Sequence, residues 1–135
     1  MNTLSALEGG EGPFQPSGAH PLSFKEITHC VERMPEIEER LGIRMQGVMA
    51  TVENEPSEGL YQVDIQGEIY ASKGGEIASN LYIHFVCQNE RDQVIGTAQH
   101  TLYADTFTGY KPFHEIVYAR AFPVRIKLIP NKEPL

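Results

Sequence analysis

A chain of 135 residues falls within the usual range of one domain and is long enough to hold a core without covalent staples. Eleven Lys and Arg against eighteen Asp and Glu leave a formal charge of -7, which repels phosphate backbones and anionic headgroups; nucleic acid and membrane surfaces are set aside as partners. No apolar run reaches the roughly 20 residues of a membrane-spanning helix, and the first residues lack the basic and apolar regions of a secretory signal, so a soluble, cytoplasmic protein is expected.

Residues 1–22 are rich in Gly, Pro, Ser and Glu and are expected to form a disordered tail, because so few large apolar side chains cannot offset the entropy of ordering. Residues 23–135 are expected to form the domain. Ser23 and Glu26 have capping-box spacing, and Phe24, Ile27, Val31 and Met34 recur at helical intervals, which predicts a helix of about three turns. The same stretch, Phe24 to Val31, also reads as an edge strand, since Ile27, His29 and Val31 alternate. Pro35 then suits the first turn of a second short helix that ends at Gly42, with Glu36, Glu38 and Glu39 towards its positive end.

Beyond Gly42 the period becomes two and β-branched and aromatic residues dominate. Strands are predicted over 43–53, 60–71, 80–89, 94–104, 113–118 and 121–129. The clearest places Tyr61, Val63, Ile65, Gly67 and Ile69 on one face and Gln62, Asp64, Gln66 and Glu68 on the other. Leu81 to Tyr103 reads as a hairpin. A two-residue turn at Arg91-Asp92 sets Phe85 opposite Ala98 and Ile83 opposite His100, whereas one further turn residue would bring His84 opposite His100. Strands without alternating helices define a mainly β protein, two packed antiparallel sheets preceded by a short N-terminal helical segment.

Val63-Asp64-Ile65-Gln66-Gly67-Glu68-Ile69, Leu81-Tyr82-Ile83-His84-Phe85, Asp92-Gln93-Val94-Ile95-Gly96-Thr97 and Gly109-Tyr110-Lys111-Pro112-Phe113 together resemble small bacterial immunoglobulin-like sandwiches of the FxLYD type. The resemblance covers residues 63–118 and implies an immunoglobulin-like β-sandwich; Gln93 stands where those modules carry a turn glycine. It implies no particular activity, because such modules serve different attachment and assembly roles.

No G-x-S-x-G elbow, C-x-x-C pair or H-E-x-x-H motif occurs, and Cys30 and Cys87 are expected to stay reduced. No catalytic residue and no cofactor is assigned. Five histidines are scattered; His84, His100 and His114, the last followed by Glu115, form the one constellation that strand geometry can gather on a sheet face around a divalent ion, the route to a metal- or small-molecule-dependent enzyme. The C-terminal stretch gathers Lys111, Arg120, Arg125, Lys127 and Lys132 among Tyr110, Phe113, Tyr118 and Phe122, residue types that interfaces favour. An acidic partner segment, or the chain's own acidic tail, would suit that surface. The expected function is a non-catalytic protein-interaction or assembly module that uses a sheet edge or this surface to hold a protein partner or a second copy of itself.

Overall fold

The computed structural model describes residues 23–53, 56–72 and 74–135; the expected tail, residues 1–22, lies outside them. The described chain forms β1 (Phe24–Glu26), a 3-10 turn (Thr28–Cys30), β2 (Val31–Arg33), α1 (Pro35–Arg40), β3 (Ile43–Glu53), β4 (Tyr61–Ala71), β5 (Leu81–Gln88), β6 (Val94–Leu102), β7 (Tyr110–Ala119) and β8 (Arg125–Asn131). They build two four-stranded sheets, ordered β1-β3-β4-β7 and β2-β8-β5-β6. No helix among the described residues is long and apolar enough to cross a membrane.

The core is the set of inward positions that alternation dictates. Val63, Ile65 and Ile69 of β4, Ile83, Phe85 and Cys87 of β5, Val117 of β7 and Ile126 and Leu128 of β8 are fully or almost fully buried between the sheets. Glycine at 67 leaves a gap in the inward row of β4, and Phe113, its partner on β7, fills it: a Cβ at 67 would lie 3.0 Å from the Phe113 ring. The tilted contact of Phe113 with Phe85, centroids 5.7 Å apart, then locks one sheet to the other.

The predicted helix over Ser23–Met34 is not formed; the edge-strand reading is closer. Phe24, Lys25 and Glu26 pair antiparallel with Glu53, Val52 and Thr51, and Val31, Glu32 and Arg33 pair parallel with Ile126, Lys127 and Leu128. The segment therefore belongs to both sheets. Helical spacing of apolar residues is only a local preference; pairing with two strand edges satisfies its backbone groups and buries Ile27 to 1% exposure. Thr28 holds the crossover, its hydroxyl donating to Glu26 at 2.9 Å and accepting from the Ala50 amide at 3.1 Å.

The short helix at Pro35 is present, with proline in its first turn and Glu36 and Glu38 near its N-terminus. Glu38 is 2% exposed, and its carboxylate accepts two hydrogen bonds from Arg33, at 3.1 and 2.8 Å, and one from the Met45 amide at 3.2 Å. Removing it would strand a guanidinium and an amide that β2 and β3 present to it. Glu38→Ala is expected to lower stability by about 2–3 kcal/mol, because Arg33 is one-third exposed and keeps part of its hydration. Chemical denaturation reads this out as a lower urea midpoint at unchanged slope, and a loss below about 0.5 kcal/mol would contradict it.

Register shows where alternation breaks. Inward residues of β3 are Ile43 and Met45 before Gly47, and Ala50 and Val52 after it. Gly47 and Val48 together oppose Gly67, and Gly47 takes a φ of 65°, the left-handed geometry that glycine adopts without a Cβ clash. The β5–β6 hairpin pairs Phe85 with Ala98 and Ile83 with His100, as a two-residue turn predicts. Its construction is different: Asn89 pairs with Gln93 across Glu90, Arg91 and Asp92, with Asp92 at φ 61°, and a bulge between Gln88 and Cys87 restores the register.

Candidate functional site

Outward residues of β3, β4 and β7 form the outer face of the first sheet, which no described element covers, in cross-strand rows. Arg44, Tyr70 and Tyr110 make one row, Gln46, Glu68 and Pro112 the next, and Met49, Gln66 and His114 the third. The bulge at Gly47 bends β3 away and supplies no side chain, so these rows enclose a groove of about 520 Å³ lined by Met49, Gln66, Glu68, Pro112 and His114.

Glu68 stands at one end of that groove. Tyr70 donates its hydroxyl to one carboxylate oxygen at 3.1 Å and Tyr110 to the other at 3.4 Å, with the two rings 5.0 Å apart. Partial burial first, then the Glu68 carboxylate, holds both phenols above their usual titration range. Arg44 lies over the Tyr70 ring, its guanidinium carbon 5.3 Å from the centroid. Glu26, Glu53 and Asp64 share the face, so carboxylates outnumber the Arg44 guanidinium among its described residues. Phe24, Met49, Tyr110 and Tyr118 are each more than a third exposed here.

The residues singled out in the C-terminal stretch do not form one surface. Tyr110 and Tyr118 lie on this outer face, whereas Phe113, between them in sequence, is core at 4% exposure. Lys111 pairs with Ile69 and so shares the inward row of β7. Arg120 turns to β6, its amide donating to the Ile95 carbonyl at 2.9 Å and its guanidinium to the Val94 carbonyl at 2.8 Å. Phe122 packs edge-on against Tyr61 with Lys25 above it. Arg125 and Lys127 are on the other sheet, Arg125 bridging Glu32 at 2.9 Å and Asp92. The expected basic surface is thus divided among two outer faces, the core and a sheet corner, and one of its two guanidiniums, that of Arg125, is already paired with carboxylates.

The three histidines are likewise kept apart. His84 faces outward from β5 yet is 9% exposed, because the segment after β8 folds across it and its Nε2–H donates to the Glu133 carbonyl at 3.0 Å. His100 points between the sheets, where Nδ1 meets the Glu115 carboxylate at 2.7 Å and the ring packs on Phe113. His114 faces the groove on the opposite sheet. The constellation for a divalent ion is therefore not assembled, and among the described residues no group of three or more His, Cys, Asp or Glu is placed to hold a metal. Burial pushes the Cys87 thiol up to about 12, which keeps it protonated and unreactive, and Cys30 is shifted in the same direction by its own partial burial.

No family model, curated protein or solved structure matches the chain.

Proposed function

We propose that the protein is a non-catalytic interaction module that binds a basic polypeptide segment on the outer face of its first sheet. One observation carries this reading: aromatic side chains and carboxylates share the outer face of the first sheet around the Glu68 groove, exposed among the described residues. An extended segment with alternating side chains matches a sheet surface, lysine or arginine stems cover tyrosine rings, and their charged ends reach carboxylates. The overall charge of -7 attracts such a segment from a distance.

The connectivity supports an immunoglobulin-like reading of the sandwich. Hairpins β3–β4 and β5–β6 occupy different sheets, β7 returns to β4 and β8 to β5, so that two hairpins are interlocked by later strands. Sandwiches of this kind present faces and edges to partners, which agrees with the module reading and with the FxLYD resemblance.

A fluorescent peptide of alternating lysine and leucine, titrated at low and at physiological salt, tests the proposal. Binding is expected to weaken with salt, to be absent for the matching glutamate–leucine peptide, and to weaken about tenfold in Glu68→Gln and in Tyr118→Ala. Equal binding of both peptides, or unchanged affinity in both variants, would overturn it.

A further inference from the structure

We propose that two copies of the chain join through β6, pairing antiparallel about a two-fold axis at Gln99. The sheets end in β1, β2, β6 and β7. β1 and β2 are three residues each, too short to template a partner strand, and β7 carries Pro112 among its outward residues. β6 runs nine residues, Val94-Ile95-Gly96-Thr97-Ala98-Gln99-His100-Thr101-Leu102, with no proline, lysine, arginine or acid. Natural sheets guard long edges with such residues, and an edge left without them is a pairing surface.

Proline shows which backbone groups are free. Ile83 pairs with Pro130, which has no N–H, so the N–H and C=O of Ile83 point to β6 and not to β8. Its partner His100 and, by alternation, Ala98 and Leu102 bond back to β5. Thr97, Gln99 and Thr101 consequently turn their amides and carbonyls to the free side, where no described backbone group meets them. Ile95 also points there, and its carbonyl is taken by the Arg120 amide, which ends the available stretch.

A second β6 fits this stretch by itself. With Gln99 opposite Gln99, its side chain turned to the outer face where Oε1 accepts from the Leu135 amide at 2.7 Å, Thr97 faces Thr101 on both sides, and every pair can exchange two backbone bonds, about six in all. Threonine pairs across an antiparallel ladder are favourable. The charges agree in the same register: Arg120, seated at the Val94 end of one strand, meets the turn after Leu102 of the other, which carries exposed Asp105, and symmetry makes that contact twice. The face proposed for a basic peptide is on the other sheet, so a dimer through β6 does not depend on that ligand.

Sedimentation of the wild-type chain from micromolar to submillimolar concentration is expected to show a monomer–dimer equilibrium. Gln99→Lys sets like charges on the axis, and Thr97→Pro removes an edge amide that β5 does not use. Each should raise the dimer Kd at least tenfold, with circular dichroism and melting as the check that the fold is kept. Gln99→Cys should cross-link with itself on mild oxidation, because a bonded antiparallel pair holds its Cα atoms about 5.5 Å apart, within disulfide range. Peptide mapping should find position 99 joined to position 99. A wild-type chain monomeric throughout, variants that dimerise unchanged, or a wild-type dimer whose Gln99→Cys form does not cross-link would each overturn the proposal.

Discussion

Gly96→Ala is expected to destabilise the protein by about 3 kcal/mol, the upper end of what one inserted methyl group costs in a packed interior. A Cβ at 96 would lie 2.7 Å from the Tyr118 carbonyl oxygen, 2.9 Å from a Val117 methyl and 3.1 Å from the Ala119 Cα. Two of those three atoms are backbone of β7, held in a ten-residue ladder with β4, so they cannot step aside as a side chain would. The contact is where the two sheets touch, and the Arg120 amide bonds to Ile95 beside it. Gly67→Ala supplies the comparison. Its Cβ would meet side-chain atoms of Phe113 and Val48 at 3.0–3.1 Å, so its cost should be the smaller, nearer 1–2 kcal/mol. Urea midpoints of the two variants decide the matter, and an equal loss at both positions would show that the sheet corner yields as readily as a side chain.

Stability should fall steeply on the alkaline side, from the ordinary thiol value of 9.0 upward, because of Cys87. Burial in the core raises that thiol to about 12 and disfavours the thiolate. The folded protein therefore keeps a proton that the unfolded chain releases, and each pH unit between 9.0 and about 12 removes about 1.4 kcal/mol of stability. Below 9.0 both states are protonated and the contribution is constant. Denaturation midpoints across this window should decline in the wild type and flatten in Cys87→Ala, apart from Cys30 and the tyrosines, whose raised thiol and phenols act in the same direction. A wild-type profile as flat as the variant's would mean that the thiol ionises freely in the folded state. In the same preparation Cys87 should resist alkylation until the protein is unfolded.

Much of the fold is legible in the order of residues. The alternation from Tyr61 to Ile69 states both the strand and its buried face, and proline followed six residues later by Leu41-Gly42 states the short helix. The bulge at Gly47 is hardly legible, since Met49 keeps a large apolar residue at an odd position while the buried row moves from Ile43 and Met45 to Ala50 and Val52. The first two strands are legible only as one of two readings, because Ser23, Glu26 and the apolar spacing satisfy a helix locally while Ile27, His29 and Val31 alternate as a strand, and only the vacant edges of β3 and β8 decide between them.

The candidate site is hidden for a related reason. A run rich in aromatics and cations looks like one surface in sequence, but a strand sends neighbours to opposite faces, so Tyr110 and Tyr118 part from Phe113. His84 has the alternation of an exposed residue and is buried by Glu133, forty-nine positions away, a contact that no periodicity announces. The acidic character of the tyrosine face comes from β1, β3 and β4 together and is invisible in any single stretch.

The passage of residues 24–33 from one sheet to the other has a kinetic consequence. Val31 meets Ile126 and Phe24 meets Glu53, so this segment cannot settle until both a near and a very distant part of the chain are in place. Such closure is entropically expensive and slow. The interlocked hairpins do not depend on that closure, so the segment is expected to act like a clasp, the last piece to fasten and the first to come undone, its amides exchanging ahead of those of β4 and β5.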